Sequence, residues 1–271
     1  MPELPEVETA RRGIEPHLVG QTISEVRIRN PRLRWPIPTD FAARITGAQL
    51  LAVARRAKYL LLQTDRGTAI VHLGMSGSLR VLAAATPPNA HDHWDLCLTN
   101  GQCLRLRDPR RFGALLFTNE APAMHPLLRD LGPEPLESSF SGAHLHARAR
   151  GKRVALRDFL LDGKVVAGVG NIYASEAAFE AELRPQRAVG RISRGGFDAV
   201  ARAIQRVLSR AIRAGGTTLR DFQNADGEPG YFNIELQVYD RAGESCRRCG
   251  GRVKMARRGQ RSLYYCPGCQ R

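Results

Sequence analysis

The first half of the chain has the pattern of one helix followed by a series of short strands. After Pro5 the apolar residues Val7, Ala10, Ile14 and Leu18 recur at helical spacing, and a proline is tolerated in a first helical turn. Short alternating segments separated by turn residues are typical of a β-sandwich. The predicted extended segments are Ile23 to Arg29, Leu50 to Gln63, Ala69 to Leu82, and a hairpin from Trp94 to Asp108.

Two cysteines lie in the predicted hairpin. Cys97 and Cys103 flank Asn100-Gly101, a dipeptide that favours a two-residue turn. Such a turn sets Cys97 opposite Leu104 and Cys103 opposite Leu98, so that the two sulfurs point to opposite faces. We therefore interpret both as hydrophobic thiols that do not form a disulfide.

The pattern becomes helical beyond a linker rich in Pro and Gly that begins at Leu131. Apolar residues between Phe197 and Ile212 form an amphipathic stripe that ends at Gly215-Gly216. The segment from Lys164 to Glu176 passes through two glycines and an asparagine into another predicted helix. The start of that helix either offers backbone N–H groups to a phosphate or is an ordinary turn between helices. Glycines between Gly215 and Gly230 predict a mobile loop.

The chain carries a large excess of basic residues. Its 271 residues include 41 Lys and Arg against 26 Asp and Glu, a net charge of +15 that indicates a polyanionic partner. A hydrophobic fraction of 43% lies in the ordinary globular range. The apolar stretches are far shorter than the roughly 20 residues that a bilayer requires, and the start of the chain does not resemble a signal peptide. We expect a soluble, cytoplasmic protein with no membrane contact.

Four of the six cysteines have the spacing of a zinc site. Cys246 and Cys249 are followed, after sixteen residues, by Cys266 and Cys269. Four thiolates fill a tetrahedral site and leave no position for water, which predicts one structural Zn²⁺ with a β-hairpin between the pairs. Two disulfides in a secreted module are the alternative. The residues from 241 to 271 carry nine basic side chains against one acidic one, a charge balance that suits phosphate binding.

The chain begins Met1-Pro2-Glu3, a start that can carry chemistry. If Met1 is removed, Pro2 presents a secondary amine with a pKa near 8, so its neutral fraction at pH 7 is far larger than that of a lysine. Attack of this amine on a sugar C1′ carbon gives a cationic iminium, which accepts electrons when phosphate is eliminated. Glu3 and Glu6 are candidates for proton transfer. The alternative is that these residues only begin a helix.

Six features in this order resemble one family, the formamidopyrimidine-DNA glycosylases, over essentially the whole chain. This family removes 8-oxoguanine and ring-opened purines from DNA and also cleaves the resulting abasic site. The features are Pro2-Glu-Leu-Pro-Glu-Val-Glu, His72-Leu-Gly-Met-Ser-Gly, Asp108-Pro-Arg-Arg-Phe-Gly, Gly168-Val-Gly-Asn-Ile-Tyr-Ala-Ser-Glu, Pro229-Gly-Tyr-Phe and the four-cysteine finger.

The resemblance implies an α+β multidomain fold. Residues 1–130 would form an N-terminal β-sandwich catalytic domain with an opening helix. Residues 131–235 would form a helix-two-turn-helix DNA-binding domain, and residues 236–271 a zinc finger built on a β-hairpin. The resemblance also implies that double-stranded DNA with oxidised purines lies in the cleft between the lobes.

The resemblance assigns catalytic roles to four residues. Pro2 is the Schiff-base nucleophile, and Glu3 is the proton donor that helps to open the sugar. Lys58 is matched to proton donation in β-elimination and to phosphate contact; the alternative is a lysine of an apolar strand that reaches back to solvent. Arg261 is matched to δ-elimination, with phosphate binding alone as the alternative.

The resemblance also assigns the residues that hold DNA. A base inside a duplex has to be extruded before it can react, and side chains have to fill the gap. Met75, Arg110 and Phe112 are matched to this void-filling trio, with core packing as the alternative for Met75 and Phe112. The loop from Gly215 to Gly230 would cover the flipped base. The remaining DNA contacts are matched to His72, His91, Lys152 and Asn171.

One position departs from the family pattern, and two other functions compete. Arg157 stands where the family often has lysine, which puts any lysine-specific base contact in doubt. Endonuclease VIII uses the same proline chemistry on oxidised pyrimidines, but it typically has glycine at the position of Leu4. A non-catalytic zinc protein that binds DNA would explain the charge and the finger and leave Pro2, Glu3 and Lys58 unexplained as a set. We expect a monomer.

Overall fold

The structure is a computed structural model that describes residues 1–215 and 236–271, and these residues fall into two compact units. The first unit holds residues 1–130, and the second holds residues 131–213 and 236–271. The predicted loop from Gly215 to Gly230 and the Pro229 motif lie almost wholly outside the described residues. The division into three domains at residues 130 and 235 stays a prediction.

The first unit consists of two four-stranded antiparallel sheets and two helices. One sheet has the order β1-β6-β7-β5, and the other has the order β2-β3-β4-β8. The helices are α1 (Leu4–Leu18) and α2 (Phe41–Ile45); the strands are β1 (Ile23–Ile28), β2 (Leu50–Arg56), β3 (Tyr59–Thr64), β4 (Gly67–His72), β5 (Ser78–Ala83), β6 (Asp92–Leu98), β7 (Gln102–Arg107) and β8 (Ala114–Thr118).

A single hydrophobic cluster takes buried side chains from both sheets and from both helices. Val7, Ile14 and Leu18 of α1 are fully buried in it, as the helical spacing predicts. Trp94 of one sheet and Leu62 of the other are also fully buried there. The prediction of a β-sandwich with an opening helix is confirmed.

The register of the hairpin between β6 and β7 differs from the predicted one by one residue. Cys97 lies directly opposite Cys103, and Leu96 lies opposite Leu104. The connection therefore has three residues instead of two, and Gly101 adopts a φ of +82°, which glycine tolerates best. The predicted pairing is wrong, and the two thiols share one face of the sheet, where both are buried and unoxidised.

The segment predicted as one strand from Leu50 to Gln63 is an antiparallel hairpin formed by β2 and β3. Ala57, with a φ of +53°, and Lys58 make its two-residue turn. The prediction that Lys58 lies within an apolar strand is therefore wrong. The segment from Ala69 to Leu82 is likewise divided, into β4 and β5, by a turn at residues 73–77.

The second unit combines four helices with a two-stranded hairpin. The buried residues of its longest helix include Phe197, Val200, Ile204 and Leu208, which confirms the predicted amphipathic stripe. Within residues 1–215 and 236–271, none of the helices combines the length and hydropathy that crossing a membrane requires. The elements of this unit are α3 (Gly142–Ala149), α4 (Leu156–Leu161), α5 (Asn171–Glu180), α6 (Arg194–Arg213), β9 (Lys254–Arg258) and β10 (Arg261–Tyr265).

The hairpin of β9 and β10 lies between the two cysteine pairs, as the spacing predicts, and packs against α5. Phe179 of α5 shares a small hydrophobic cluster with Val253 and Tyr264 of the finger. Gln270 joins the finger to the segment that follows α5. Its amide nitrogen donates to the Leu183 carbonyl, and its oxygen accepts from the Cys266 N–H, both at 2.8 Å.

Candidate active site and metal centre

The start of the chain is buried against the first unit. Pro2, Glu3 and Leu4 are all buried, and α1 begins at Leu4. The Glu6 carboxylate accepts a hydrogen bond of 2.8 Å from the Glu3 N–H, as in a capping box. Glu6 therefore holds the backbone at the helix start, and this contact fixes the direction in which Pro2 and Glu3 leave the helix.

The terminal amine lies in a distinctive electrostatic environment. Burial lowers the pKa of the Met1 amino group below its ordinary value, and the cations Lys58 and Arg110 lower it further. Glu3 and Glu6 act in the opposite direction. Residues far apart in the sequence are thus brought to one place, where an amine loses its proton more easily than it does in water.

The turn that carries Lys58 is attached to α1. Arg55 donates from Nη1 to the Ala57 carbonyl at 3.0 Å and from Nε to the Glu8 carboxylate at 3.1 Å. Glu8 belongs to α1, the helix that begins directly after Glu3. A partly buried ion pair therefore joins the turn to the helix, so that Lys58 and the terminal residues form one assembly.

His72 lies at the end of β4 beside this turn. Its Nδ1 accepts the Gly74 N–H at 3.0 Å, and its ring lies 4.9 Å from the Tyr59 ring, centroid to centroid. Burial, assisted by Lys58 and Arg34, lowers the pKa of His72 from 6.5 to about 4. The imidazole is therefore neutral at pH 7, and because Nδ1 is an acceptor, Nε2 carries the proton and is a donor.

Two turns of the first unit, residues 73–77 and 108–113, carry the predicted void-filling trio; we call them the paired turns. Met75 and Phe112 are 36% and 45% exposed, which argues against core packing for either side chain. The Arg110 guanidinium lies 5.0 Å from the centre of the Phe112 ring, a cation–π distance. His91, also exposed, is joined to these turns because its carbonyl accepts the Asp108 N–H at 3.0 Å.

The remaining predicted residues lie in the second unit. Asn171, the first residue of α5, donates from Nδ2 to the Ser262 carbonyl at 2.9 Å and so contacts the hairpin next to Arg261. Arg261 is exposed on that hairpin. Lys152 is also exposed, with its Nζ 5.6 Å from the centre of the Phe159 ring.

Arg157, the departure from the family pattern, is buried beneath the turn of the hairpin. It is 1% exposed, and its Nη2 donates to the Arg258 carbonyl at 3.4 Å. Its Nη1 lies 3.5 Å from Asn171 Oδ1, and its Nε lies 3.1 Å from Asp158 Oδ1. Burial lowers the pKa of this guanidinium, and the nearby cation Arg261 lowers it further. Arg157 therefore supports the hairpin from within.

The four predicted zinc ligands converge. Their sulfur atoms all lie within 4.8 Å of one another, with 3.8 Å between Cys246 and Cys269 and 3.5 Å between Cys249 and Cys266. Tetrahedral zinc with bonds of about 2.3 Å to sulfur separates its ligands by about 3.8 Å. The donor set fits Zn²⁺, which would supply folding energy to the finger and no open position for a substrate.

Two residues of the first-unit site, Asp108 and Arg34, were not assigned a role in the sequence analysis. Asp108, the first residue of the second paired turn, is fully buried, and Arg34 lies close enough to His72 to lower its pKa. Asp108 had a recognisable signal, because Asp followed by Pro favours a turn that is closed by the Asp side chain. Arg34 had none, since only the folding of the chain brings residue 34 near β4.

Comparison with known proteins gives matches along the chain. Residues 1–115 match the N-terminal domain of formamidopyrimidine-DNA glycosylase, residues 131–223 match its H2TH domain, and residues 243–271 match a zinc finger found in FPG and IleRS. Formamidopyrimidine-DNA glycosylases of Methylococcus capsulatus and Pseudomonas aeruginosa are 56% and 54% identical to this chain, over the full length of both proteins.

Solved structures agree with these matches. The MutM (Fpg) protein of Thermus thermophilus is 37% identical, with a TM-score of 0.89 over 99% of this chain and 98% of that one. The Lactococcus lactis Fpg protein in complex with DNA that contains N7-benzyl-Fapy-dG is 30% identical, with a TM-score of 0.91 over 99% of both chains. On the strength of its full-length relatives and of its family domains, this chain belongs to the formamidopyrimidine-DNA glycosylase family.

Proposed function

We propose that this chain is a DNA glycosylase of base-excision repair that removes oxidised purines, 8-oxoguanine and formamidopyrimidines, from duplex DNA. We further propose that it then acts as an AP lyase, which cleaves the strand by β- and δ-elimination. Its relatives carry the glycosylase name, a mutant of the Lactococcus lactis Fpg protein was solved with DNA containing Fapy-dG, and the Lactococcus lactis Fpg protein was solved with DNA containing an abasic site.

The observation that carries the proposal is the environment of the terminal amine. After removal of Met1, the amine belongs to Pro2, which is buried beside Glu3. Lys58 and Arg110 already lower the pKa of the amino group at this end of the chain, on top of the effect of burial. A neutral secondary amine at pH 7 is the nucleophile that Schiff-base chemistry needs.

The reaction assigns one role to each of these groups. The Pro2 nitrogen forms a bond to C1′ while the bond from C1′ to the base breaks, and the proton that the nitrogen loses leaves with the base. Glu3 protonates the ring oxygen, so the sugar opens and leaves a cationic iminium between C1′ and Pro2. A solvent water then accepts a proton from C2′, the electron pair of that C–H bond expels the 3′ phosphate, and Lys58 donates a proton to the leaving phosphate. Arg261 assists the second elimination.

The binding residues serve the extrusion of the damaged base. Met75 and Phe112 are exposed apolar side chains that can enter the base stack, and Arg110 can donate two hydrogen bonds to the orphaned cytosine. His72 donates through Nε2 to a phosphate, as do His91, Lys152 and Asn171 with their own donors. The finger, folded around zinc, presents Arg261.

The test is borohydride trapping on a duplex with 8-oxoguanine opposite cytosine, with the chain and its Pro2→Gly variant. We expect a covalent adduct between protein and DNA that the variant does not form, because glycine supplies a primary amine at a displaced position. Mass spectrometry of the N-terminus establishes in parallel that Met1 is absent from the protein used. The matched control is Pro5→Ala, a proline substitution in the same segment that leaves the terminal amine in place.

Two further outcomes separate the alternatives. An adduct on an oxidised-pyrimidine duplex but not on the 8-oxoguanine duplex would indicate the specificity of endonuclease VIII. This arm is needed because the Lactococcus lactis protein was also solved with DNA containing an oxidised pyrimidine. Binding to both duplexes without an adduct on either, with Met1 absent, would indicate a protein that only binds DNA.

The state of the protein in the cell belongs to the same proposal. A chain with a net charge of +15 associates with DNA in a salt-dependent way, so we expect it to be found with the nucleoid in the cytoplasm. We also expect it to act as a monomer. Light scattering of the free protein and of its complex with a short duplex measures the number of chains for each duplex.

A further inference from the structure

One buried carboxylate joins the paired turns. Asp108 is fully buried, and its Oδ1 accepts a hydrogen bond of 2.9 Å from the Ser76 hydroxyl, which belongs to the other turn. Its Oδ2 accepts the Gly113 N–H at 2.7 Å, and Oδ1 also lies 3.3 Å from the Arg110 N–H. Ser76 follows Met75 directly, and Gly113 follows Phe112 directly. The two oxygens thus hold residues adjacent to both apolar members of the trio, together with the third member itself.

The backbones of the two turns approach each other closely around this carboxylate. Gly74 has a φ of +64°, and a Cβ placed on it would lie 2.4 Å from the carbonyl carbon of Phe112. A Cβ on Gly113 would lie 2.8 Å from the His72 carbonyl oxygen. Both glycines are therefore required by the close approach of the two turns.

Asp108 is itself anchored to the sandwich through its backbone. Its N–H donates to the His91 carbonyl at 3.0 Å, and its carbonyl accepts the Arg111 N–H at 3.1 Å. The same carbonyl lies 2.7 Å from Nε2 of His93, a buried residue of β6. Asp108 is therefore held by the sheet that contains β6, and its carboxylate fixes the positions of both turns relative to that sheet.

We propose that Asp108 is a positioning residue that locks the paired turns together, so that Met75, Arg110 and Phe112 enter the duplex as one preformed wedge. This inference rests on the proposed function. Without the lock, each turn would have to be ordered during insertion, and the cost of ordering would be subtracted from the binding energy. Hydrogen bonds to a buried carboxylate are among the stronger ones in proteins, which suits a lock.

The sharpest perturbation is Ser76→Ala, because it removes only the hydrogen bond between the turns and leaves the bonds within residues 108–113. Asp108→Asn is the larger change, since an NH2 group replaces one carboxylate oxygen and this donor then faces the N–H or O–H donors of the turns. Ser78→Ala, which removes a buried hydroxyl two residues away in β5, is the matched control.

Single-turnover rates are compared on two substrates, a duplex with 8-oxoguanine opposite cytosine and the same duplex with a preformed abasic site. We expect Ser76→Ala to slow the first reaction about tenfold and Asp108→Asn about 10- to 100-fold. The rate at the abasic site, where no base has to be extruded, stays close to wild type. A 2-aminopurine next to the lesion reports unstacking directly, and its fluorescence change slows by the same factors.

A double-mutant cycle tests whether the two residues act through one contact. If they do, Ser76→Ala adds little to Asp108→Asn. Equal losses on both substrates, or rates for Ser76→Ala equal to those for Ser78→Ala, would overturn the proposal. Should Asp108→Asn fail to fold, the comparison of the two serine variants decides alone. Failure of the proposed function is distinguishable, because the wild-type chain would then leave the 8-oxoguanine duplex unprocessed, whether or not it cleaves the abasic site.

Discussion

The paired turns of the first unit, which connect its two sheets, and the finger hairpin of the second unit both present exposed side chains. The paired turns are held by a fully buried carboxylate whose backbone is hydrogen-bonded to His91 and His93, in a unit that has a large hydrophobic core. In the finger hairpin, most residues of β9 are exposed, and the nearby hydrophobic cluster is small. A segment of about thirty residues cannot bury enough apolar surface to fold alone, so four thiolates and a metal take the place of a core.

The largest effect is expected when the metal is removed from the finger. Stripping zinc with a chelator, or Cys266→Ser, should unfold the finger, because structural zinc contributes on the order of 10 kcal/mol to such modules. Hydrogen exchange in the full chain should then show loss of protection in β9 and β10 and unchanged protection in the β-sandwich. Duplex binding should weaken, since the finger carries much of the basic charge.

Cys97→Ala is the control, because it deletes a buried thiol that is not among the four converging sulfurs. It should leave the zinc content at one ion for each chain. Retained protection of β9 and β10 after complete loss of zinc would show that the finger does not need its metal, and the contrast between the two regions would be lost.

A smaller effect is expected in the first unit, where the free energy of unfolding depends on pH through His72. The folded-state pKa of His72, about 4, lies below its ordinary value of 6.5, so the unfolded chain binds this proton more tightly. The stability linked to His72 is therefore complete above pH 6.5 and is lost as the pH falls toward 4, by at most about 3 kcal/mol. Denaturant unfolding at a series of pH values measures this loss.

His72→Asn sharpens the test, because the amide oxygen can still accept the Gly74 N–H and does not titrate. This variant should unfold with a flatter pH dependence between 6.5 and 4 than the wild type. His17→Asn in α1 is the matched control and should keep the full slope. If both variants keep that slope, another group is responsible for the acid sensitivity of the first unit.

The smallest effect is expected at Arg157, the buried side chain that contacts the finger hairpin. Arg157→Lys keeps the charge but replaces a planar group, which reaches Arg258, Asn171 and Asp158, by a single ammonium. We expect a loss of about 1–2 kcal/mol in the protection of the hairpin amides, measured by hydrogen exchange. Arg153→Lys, at an exposed position, should change nothing, and an equal response of the two variants would contradict a supporting role for Arg157.

Much of the fold follows from spacing in the sequence. The helical repeat from Val7 to Leu18, the stripe on α6 and the two Cys-x-x-Cys pairs each depend on local periodicity, and all three are confirmed. The N-terminal sandwich also followed from short alternating segments. Local patterns are sufficient here because each one depends on residues that are neighbours along the chain.

Other features depended on contacts that no local pattern records. The hairpin turn at Asn100-Gly101 could close with two or three residues, and the choice reverses the side on which Cys103 points relative to Cys97. Lys58 could not be assigned to a turn because residues 55–59 contain none of the Gly, Pro, Asn, Asp or Ser residues that usually mark one. The link from Asp108 to Ser76 spans 32 positions and forms only when the two turns that connect the sheets pack together.

The burial of Cys97 in β6 and of Cys103 in β7 also has a chemical consequence. Burial raises the pKa of both thiols, that of Cys103 to about 11. At pH 7 only about one Cys103 side chain in ten thousand is then a thiolate, the form that peroxides attack. A repair protein is needed most when oxidants are abundant, and these two sulfur atoms are kept in the form that reacts most slowly with them.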